Sequence, residues 1–241
     1  MFKTRDEAIF FVQQVFDKVP SQSIVDSVVC CQAPVLRDLV KRQGENLRIG
    51  AQNMHFADSG AYTGETSAVL LQDLGVTYVI IGHSERRAMF NETDEAVNKK
   101  IKQALVYSLK PIVCVGESLD IREAGTTDEF VKAQVTKALD GIQKEDVMSL
   151  VFAYEPIWAI GTGRTATPEI AEETCKSIRN TIKELYDEET GEAVRIQYGG
   201  SVKPGNIDEL LSMPDIDGAL IGGASLDIDA FIYMVNAALK K

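Results

Sequence analysis

The sequence is poor in the residues from which metal sites and disulfide frameworks are built. Its 241 residues include four cysteines, two histidines and one tryptophan. Cys30, Cys31, Cys114 and Cys175 show no paired spacing of the kind that zinc sites use, and three of them lie in apolar runs. We interpret them as buried thiols of a cytosolic protein, and at the vicinal pair we favour strand packing over a redox role. No metal or cofactor is predicted.

Positive charge and long hydrophobic runs are also scarce. The chain has 25 Lys and Arg against 36 Asp and Glu, a formal net charge of -11. This acidity argues against nucleic acid or an anionic membrane as a partner. No apolar run approaches the roughly 18 residues of a membrane span, and no basic-then-apolar leader is present, so we predict a soluble, cytoplasmic protein. An anionic substrate would need a local binding device.

What the sequence does contain is a regular alternation of strand and helix patterns. Short apolar runs rich in Val, Ile and aromatic residues predict parallel strands that are covered on both faces. The runs are Ser27–Cys31, Arg48–Gln52, Tyr78–Gly82, Ile112–Gly116, Val151–Tyr154, Val194–Tyr198 and Ala219–Gly222. The first helix begins at a capping box, Thr4 with Glu7, and its apolar face includes Phe11, Val12 and Val15.

The number of elements indicates the fold. Further helical patterns span Val35–Arg42, Ala68–Leu74, a stretch capped by Thr93, Glu129–Leu139, Pro168–Tyr186, Ile207–Leu211 and Ile228–Leu239. Eight helices with seven strands leave the first helix without a preceding strand. No linker divides the chain, so we predict a single domain over residues 1–241. An open doubly wound sheet is disfavoured because no G-x-G-x-x-G follows an early strand. We predict an α/β fold, a (β/α)8 barrel that lacks its first strand.

Two ionisable residues stand where barrel enzymes place their chemistry, at the carboxyl ends of strands. His83 ends an apolar strand, which favours a catalytic role over that of a core histidine, whereas His55 lies in a polar loop and is given no such role. Glu155 follows another strand; its position alone leaves open a general base or a partner of a nearby arginine. The next stretch, with its Gly161-Thr162-Gly163 end, has the composition of a hinged lid and favours the base.

Two glycine pairs predict the device that holds an anion. Gly199-Gly200-Ser201 and Gly222-Gly223 follow the last two predicted strands. Barrels commonly bind phosphate there through backbone N–H groups. Either pair alone is typical of a turn; together, at these two strand ends, they predict a phosphate site.

Several stretches resemble the triosephosphate isomerase family nearly letter for letter. They are "AYEPIWAIGTG", "GHSERR", "QYGGSVKP", "GALIGGASL" and "GAQNMHF", and the similarity runs from about Thr4 to the carboxyl end. The resemblance implies a TIM barrel that interconverts dihydroxyacetone phosphate and glyceraldehyde 3-phosphate in glycolysis and gluconeogenesis. It implies that Glu155 is the base and that His83 is the neutral imidazole that polarises the carbonyl.

The resemblance also implies roles for neighbouring residues. The residues that match the family's phosphate cradle are Gly161, on the lid, with Ser201, Gly222 and Gly223. Glu85 matches a carboxylate near the family's catalytic lysine, and Cys114 matches a thiol packed near the base. Thr63 matches the tip of a loop, Met54–Ser67, that inserts beside the other subunit's active site, which implies a homodimer.

One departure from the family concerns the amino end. The family's first strand ends in Asn, one residue, then Lys, and Met1 aligns just beyond that lysine; Lys3 is not its counterpart. We favour a true isomerase whose start methionine was assigned downstream of that lysine. The alternatives are a shortened, inactive relative with a binding or structural role, and another phosphate-binding barrel. We expect two exposed strand edges, and an apolar face of the first helix that has lost part of its cover.

Overall fold

The computed structural model describes residues 1–160 and 165–241, and its centre is a single parallel sheet. Seven strands in the order β1-β2-β3-β4-β5-β6-β7 pair with their neighbours in sequence. They are β1 Ser27–Cys31, β2 Leu47–Ala51, β3 Tyr78–Ile81, β4 Lys110–Val115, β5 Val151–Tyr154, β6 Arg195–Tyr198 and β7 Gly218–Ala219. All six pairings are parallel, so the carboxyl ends of the strands meet at one rim. This arrangement confirms the predicted α/β barrel class.

Twelve α-helices lie in the part of the chain that the structure describes, more than the eight predicted. They are α1 Arg5–Val15, α2 Leu36–Val40, α3 Ala68–Leu74, α4 Ser84–Phe90, α5 Asp94–Val106, α6 Leu119–Glu123, α7 Thr127–Leu139, α8 Lys144–Val147, α9 Pro168–Leu185, α10 Glu188–Ala193, α11 Ile207–Leu211 and α12 Ile228–Ala237. The eight predicted helices do not include α4, α6, α8 and α10, because none of these short helices shows a sustained apolar period. None of the helices in the described ranges is long and apolar enough to cross a bilayer.

Side chains that alternate along the strands form two separate apolar layers. Tyr78, Ile112 and Val151 pack together on the inner side of the sheet. Residues of opposite parity, such as Val79 and Phe152, belong to the larger cluster that contains the helices. The sheet therefore has an interior of its own and an outer face that the helices cover, as the barrel fold requires.

The last strand is shorter than predicted. It spans Gly218–Ala219, whereas the apolar pattern predicted Ala219–Gly222. Leu220 still donates a backbone hydrogen bond to Tyr198, at 3.0 Å, but Gly222 then caps a short 3-10 turn, Gly223–Leu226. The chain turns at the glycine pair, and this turn ends the pairing.

The prediction that the apolar face of the first helix has lost part of its cover is wrong. Phe11 is 4% exposed, and Val12 and Val15 are each 0% exposed. The Phe11 ring packs edge-on against Phe231 of α12, with centroids 5.3 Å apart. The carboxyl-terminal helix, distant in sequence, therefore covers the face that the sequence left without an obvious neighbour.

A buried carboxylate fixes the end of β3, just ahead of His83. Glu92 accepts hydrogen bonds from the Gly82 backbone N–H at 2.9 Å, from Arg86 at 2.7 Å and from the Lys100 ammonium at 2.6 Å. Burial raises the pKa of Glu92, but the hydrogen bond and charge of Lys100, followed by the hydrogen bonds from Arg86 and the Gly82 N–H, outweigh it, and the pKa lies below its usual value. One side chain thus joins β3, α4 and α5.

We expect Lys100→Met to destabilise the protein, because it leaves the Glu92 carboxylate buried without its nearest cation. Breaking a buried ion pair by removing one partner typically costs about 3–5 kcal/mol. Urea denaturation should show a loss of that order in the free energy of unfolding. Lys102→Met, on the exposed face of the same helix, is the matched control and should change stability by less than about 0.5 kcal/mol.

The same deficit should depend on pH. The folded pKa of Glu92 lies below its unfolded value near 4.5, so the stabilisation is fully present above that value and is lost as pH falls through the folded pKa. The difference between the parent and Lys100→Met should therefore shrink as the solution is acidified below about pH 4.5. A deficit that stays constant across this range would contradict the role of the pair.

Candidate active site

A large cavity opens at the rim where the strands end. Its volume is about 940 Å³, and it brings together six of the predicted site residues. These are His83, Glu85, Glu155, Ser201, Gly222 and Gly223. Residues predicted from separate stretches of sequence thus share one space.

Glu155 is held at the rim by its backbone and by both carboxylate oxygens. It follows β5, and its N–H donates to the Val115 carbonyl at 2.8 Å. Oε1 lies 2.8 Å from Nε2 of His83, and Oε2 accepts the backbone N–H of Ser84 at 2.9 Å. Its side chain is only 2% exposed. Among the described residues no arginine or lysine nitrogen lies within 4 Å of it, which disfavours the alternative of an arginine partner.

His83 has one tautomer that satisfies its surroundings. It caps the amino end of α4, and its Nδ1 accepts the backbone N–H of Glu85 at 3.2 Å. Because that lone pair is engaged, the neutral ring carries its proton on Nε2, which faces Glu155 at 2.8 Å. The exposed Glu85 carboxylate lies 3.9 Å from Nδ1. The geometry therefore presents an N–H donor to the cavity beside a carboxylate.

Opposing influences act on the pKa of His83. Burial lowers the pKa of His83. The hydrogen bond and the charge of Glu155, followed by the charge of Glu85, raise it. The net result is a pKa above the usual value of 6.5. The direction follows from the direct contact with Glu155, so a ligand that separates the two side chains would remove the main cause of the rise.

The close packing behind Glu155 requires glycine. A Cβ on Gly116 would lie 1.8 Å from the Glu155 carbonyl oxygen, so no other residue fits where the ends of β4 and β5 meet. A Cβ on Gly199 would lie 3.1 Å from Cγ of Glu155. These two glycines give the base its position. Sequence reasoning marked Gly199 only as part of an anion site and gave no role to Gly116.

A second strand-end carboxylate, Glu117, was also missed. Its side chain is fully buried, and Oε1 accepts Nε1 of Trp158 at 2.8 Å, the Tyr154 hydroxyl at 3.1 Å and an Arg122 nitrogen at 3.3 Å. Its carbonyl accepts the Ile157 N–H at 3.1 Å. Glu117 thus anchors the segment just after Glu155. The available signal was its place after an apolar strand, which matches that of Glu155.

The glycine pairs at the anion end differ in what surrounds them. A Cβ on Gly200 would lie 2.1 Å from the Tyr198 hydroxyl, so this glycine serves packing. For Gly222 and Gly223 nothing lies within 4 Å of an added Cβ. These two face open space in the cavity, as a backbone that approaches an anion must. Ser201 also lines the cavity, and its carbonyl accepts a hydrogen bond from Nδ2 of Asn206 at 2.9 Å.

The remaining predicted residues lie outside the cavity or outside the described residues. Cys114 is fully buried beside Glu155, and burial followed by the charge of Glu155 holds the pKa of its thiol well above 9.0. Thr63 is exposed in the 54–67 loop and does not line the cavity. Gly161, with the Gly161-Thr162-Gly163 end of the predicted lid, lies outside the described residues. Within residues 1–160 and 165–241, no group of three His, Cys, Asp or Glu is arranged to hold a metal ion.

Comparison with known proteins identifies the family. A family model described as triosephosphate isomerase matches residues 1–238. The triosephosphate isomerase of Lactobacillus acidophilus is 58% identical over 227 residues, which cover 94% of this chain and 90% of the relative. That of Lactobacillus helveticus is 57% identical with the same coverage. That of Lactobacillus delbrueckii subsp. lactis is 56% identical over 231 residues, 95% of this chain and 92% of the relative. The chain therefore belongs to the triosephosphate isomerase family.

Proposed function

We propose that His83 and Glu155 carry the proton transfers by which this chain, an aldose–ketose isomerase, interconverts dihydroxyacetone phosphate and glyceraldehyde 3-phosphate. The observation that carries the proposal is the 2.8 Å contact between Nε2 of His83 and a buried carboxylate in one cavity. Since this interconversion belongs to glycolysis, it also supports a cytoplasmic location.

The proton transfers follow from the roles that the two side chains can play. The Glu155 carboxylate removes a proton from the carbon beside the substrate carbonyl, and the C–H electron pair becomes the C=C bond of an enediolate. The Nε2–H of His83 donates a hydrogen bond to the carbonyl oxygen as negative charge grows there. Nε2 of His83 gives its proton to the former carbonyl oxygen and takes the hydroxyl proton from the other oxygen, while Glu155 returns its proton to the neighbouring carbon, so that the C=C electron pair forms the new C–H bond and a new carbonyl forms. No proton or electron is gained or lost overall.

The arrangement in the structure is compatible with this chemistry because the two groups already converge. Substrate that enters between Nε2 and Oε1 replaces their mutual hydrogen bond with one contact to each. The hydrogen bond from the Ser84 N–H to Oε2 of Glu155 remains and limits how far the carboxylate can rotate.

The anionic end of the substrate is assigned to the opposite side of the cavity. Ser201, Gly222 and Gly223 offer a hydroxyl and unobstructed backbone, and the open space at the two glycines supports this assignment. Backbone N–H groups bind an anion through their dipoles, so the phosphate site needs no cluster of lysine or arginine in a chain whose net charge is -11. Gly161 completes the proposed cradle by resemblance, from outside the described residues.

We expect Glu155→Asp to lower kcat about a hundredfold or more with little change in KM. The substitution keeps the charge but withdraws the carboxylate by one methylene, and proton abstraction requires near-contact geometry. Steady-state kinetics in both directions is the measurement, with Glu145→Asp on the exposed α8 as the control. Unchanged turnover would remove Glu155 from the role of base.

We expect Gly223→Ala to raise KM for triose phosphate at least about tenfold while leaving thermal unfolding unchanged. The new methyl group meets no protein atom within 4 Å, so it projects into the space assigned to phosphate. Gly205→Ala is the matched control, because a Cβ there also meets nothing within 4 Å. If both variants keep the parental KM, the phosphate site is wrongly placed.

The assembly that supports this function is proposed to be a homodimer formed through the Met54–Ser67 loop. The loop is compact: the His55 N–H donates to the Thr66 carbonyl at 2.8 Å, and the His55 ring lies 4.1 Å from that of Tyr62 and 4.2 Å from that of Phe56, measured between centroids. Tyr62 remains 46% exposed. A preorganised loop with an exposed aromatic tip is suited to insertion into a partner.

We expect Thr63→Arg to shift the protein from dimer to monomer in sedimentation velocity. A charged side chain at the loop tip would be buried without a partner in the proposed interface. Leu185→Arg, at the exposed end of α9, is the control and should leave the sedimentation coefficient unchanged. A dimer that persists in Thr63→Arg at nanomolar concentration would place the interface elsewhere.

A further inference from the structure

The end of β4 is held by a side chain that reaches it from a helix. Gly116 follows β4, and its backbone N–H donates to Oε1 of Gln134, on α7, at 2.8 Å. This hydrogen bond is buried, and Gln134 is only 6% exposed. A buried backbone N–H normally has a partner, and a side chain can provide it where the strand pairing has ended. Gln134 provides it here.

Gln134 differs in kind from the other residues of α7 that face the core. The buried residues of this helix are Val131, Gln134, Val135, Ala138 and Leu139. Their spacing is that of an apolar helix face, on which an aliphatic side chain would be buried without the cost of desolvating an amide. A buried polar side chain at such a position is therefore informative. Its hydrogen bond to Gly116 accounts for it.

The neighbouring strand ends are held in a comparable way. Gly82 follows β3, and its N–H donates to the buried Glu92 carboxylate at 2.9 Å. Glu155 follows β5, and its N–H donates to the Val115 carbonyl at 2.8 Å. The ends of β3, β4 and β5 therefore each have an amide with a defined acceptor, and His83 and Glu155 stand on the outer two of these three strands.

Gly116 passes its position on to Glu155 by direct backbone contact. A Cβ on Gly116 would lie 1.8 Å from the Glu155 carbonyl oxygen and 2.7 Å from its carbonyl carbon. Glu117, the next residue, accepts the Ile157 N–H at 3.1 Å with its own carbonyl. A shift of Gly116 would therefore move both the backbone that carries Glu155 and the segment that follows it. Proton abstraction tolerates little such movement, since a displacement of about 1 Å can reduce a rate about a hundredfold.

We propose that Gln134 is a positioning residue for the base: by holding the Gly116 N–H it fixes the end of β4 against which the Glu155 backbone rests. Gln134 does not line the cavity, so it acts through Gly116 and not on the substrate. Its effect on turnover rests on the proposed function, in which Glu155 is the base. Its effect on where Glu155 lies does not.

The test compares three substitutions at Gln134. Gln134→Met has nearly the same length but no comparable acceptor, Gln134→Asn withdraws the acceptor by one methylene, and Gln134→Glu keeps an acceptor oxygen at the same distance along the side chain. Asn98→Leu is the matched control. Nδ2 of the buried Asn98 donates to the carbonyls of Ala138 at 2.9 Å and Asp140 at 3.0 Å, at the far end of α7, so this substitution also removes buried hydrogen bonds but none at a strand end.

Two measurements separate the position of Glu155 from its role in catalysis. Steady-state kinetics gives kcat and KM, and urea denaturation of the same variants gives their stability. NMR titration of His83 reports on Glu155 without substrate. Burial lowers the pKa of His83 while the hydrogen bond and charge of Glu155 raise it, so a displaced Glu155 would let the pKa fall. His55, the other histidine, lies in the 54–67 loop and gives a reference signal.

We expect Gln134→Met and Gln134→Asn to lower kcat about tenfold or more while KM changes less than about twofold. The pKa of His83 should fall in both variants, and Gln134→Asn decides the test if Gln134→Met does not fold. Gln134→Glu should keep kcat within about threefold of the parent, because the acceptor oxygen is retained. Asn98→Leu should lose stability and keep both kcat and the pKa of His83.

If Gln134→Met and Gln134→Asn keep the parental kcat and the parental pKa of His83, or if Asn98→Leu lowers kcat as much, Gln134 serves stability alone and the proposal is wrong. An equal loss in Gln134→Glu would contradict the role of the acceptor oxygen. A lower kcat with an unchanged pKa of His83 would contradict the positioning of Glu155. A fall in that pKa without loss of turnover would support the positioning and would instead contradict the proposed function of Glu155 as the base.

Discussion

The position of the base depends on one close backbone approach. At the ends of β4 and β5 the Gly116 backbone lies so near the Glu155 carbonyl that a Cβ would come within 1.8 Å of its oxygen. The Glu155 N–H can therefore bond to the Val115 carbonyl at 2.8 Å, and its side chain is directed to His83 and Ser84. Any side chain at 116 would push the two ends apart. The distance between donor and base is thus set by packing as well as by their own hydrogen bond.

The parallel sheet makes that approach productive. His83 follows β3 and Glu155 follows β5, and β4 lies between these strands. Two residues distant in sequence can meet across an intervening strand only where its end is narrow, which Gly116 provides. Beneath His83, the Glu92 carboxylate joins the Gly82 N–H, Arg86 and Lys100 and keeps that strand end in place. Both reacting groups therefore rest on rigid elements, which suits chemistry that tolerates little displacement.

The sequence predicted the elements whose signal is local. Apolar periodicity predicted the strands to within three residues, and the rule that barrel chemistry lies at strand ends pointed to His83 and Glu155. It did not predict what depends on distant residues. The burial of Phe11 depends on Phe231 at the other end of the chain, and the need for glycine at 116 depends on the path of the next strand. The resemblance named residues such as Ser201 but could not say which glycines face open space.

An acidic protein that handles a phosphate ester must separate two electrostatic tasks. Binding the phosphate in a chain with a net charge of -11 requires local hydrogen-bond donors, and the open backbone at Gly222 and Gly223 is suited to that task. In the proposed mechanism the enediolate is stabilised beside Glu155 by the Nε2–H of His83. The arginines of "GHSERR" are engaged elsewhere, because they bind Glu92, Asp94 and the Gly82 carbonyl and hold β3 and α4 in place. The same ion pairs that make the site rigid thus occupy the two positive charges nearest to His83 in the sequence.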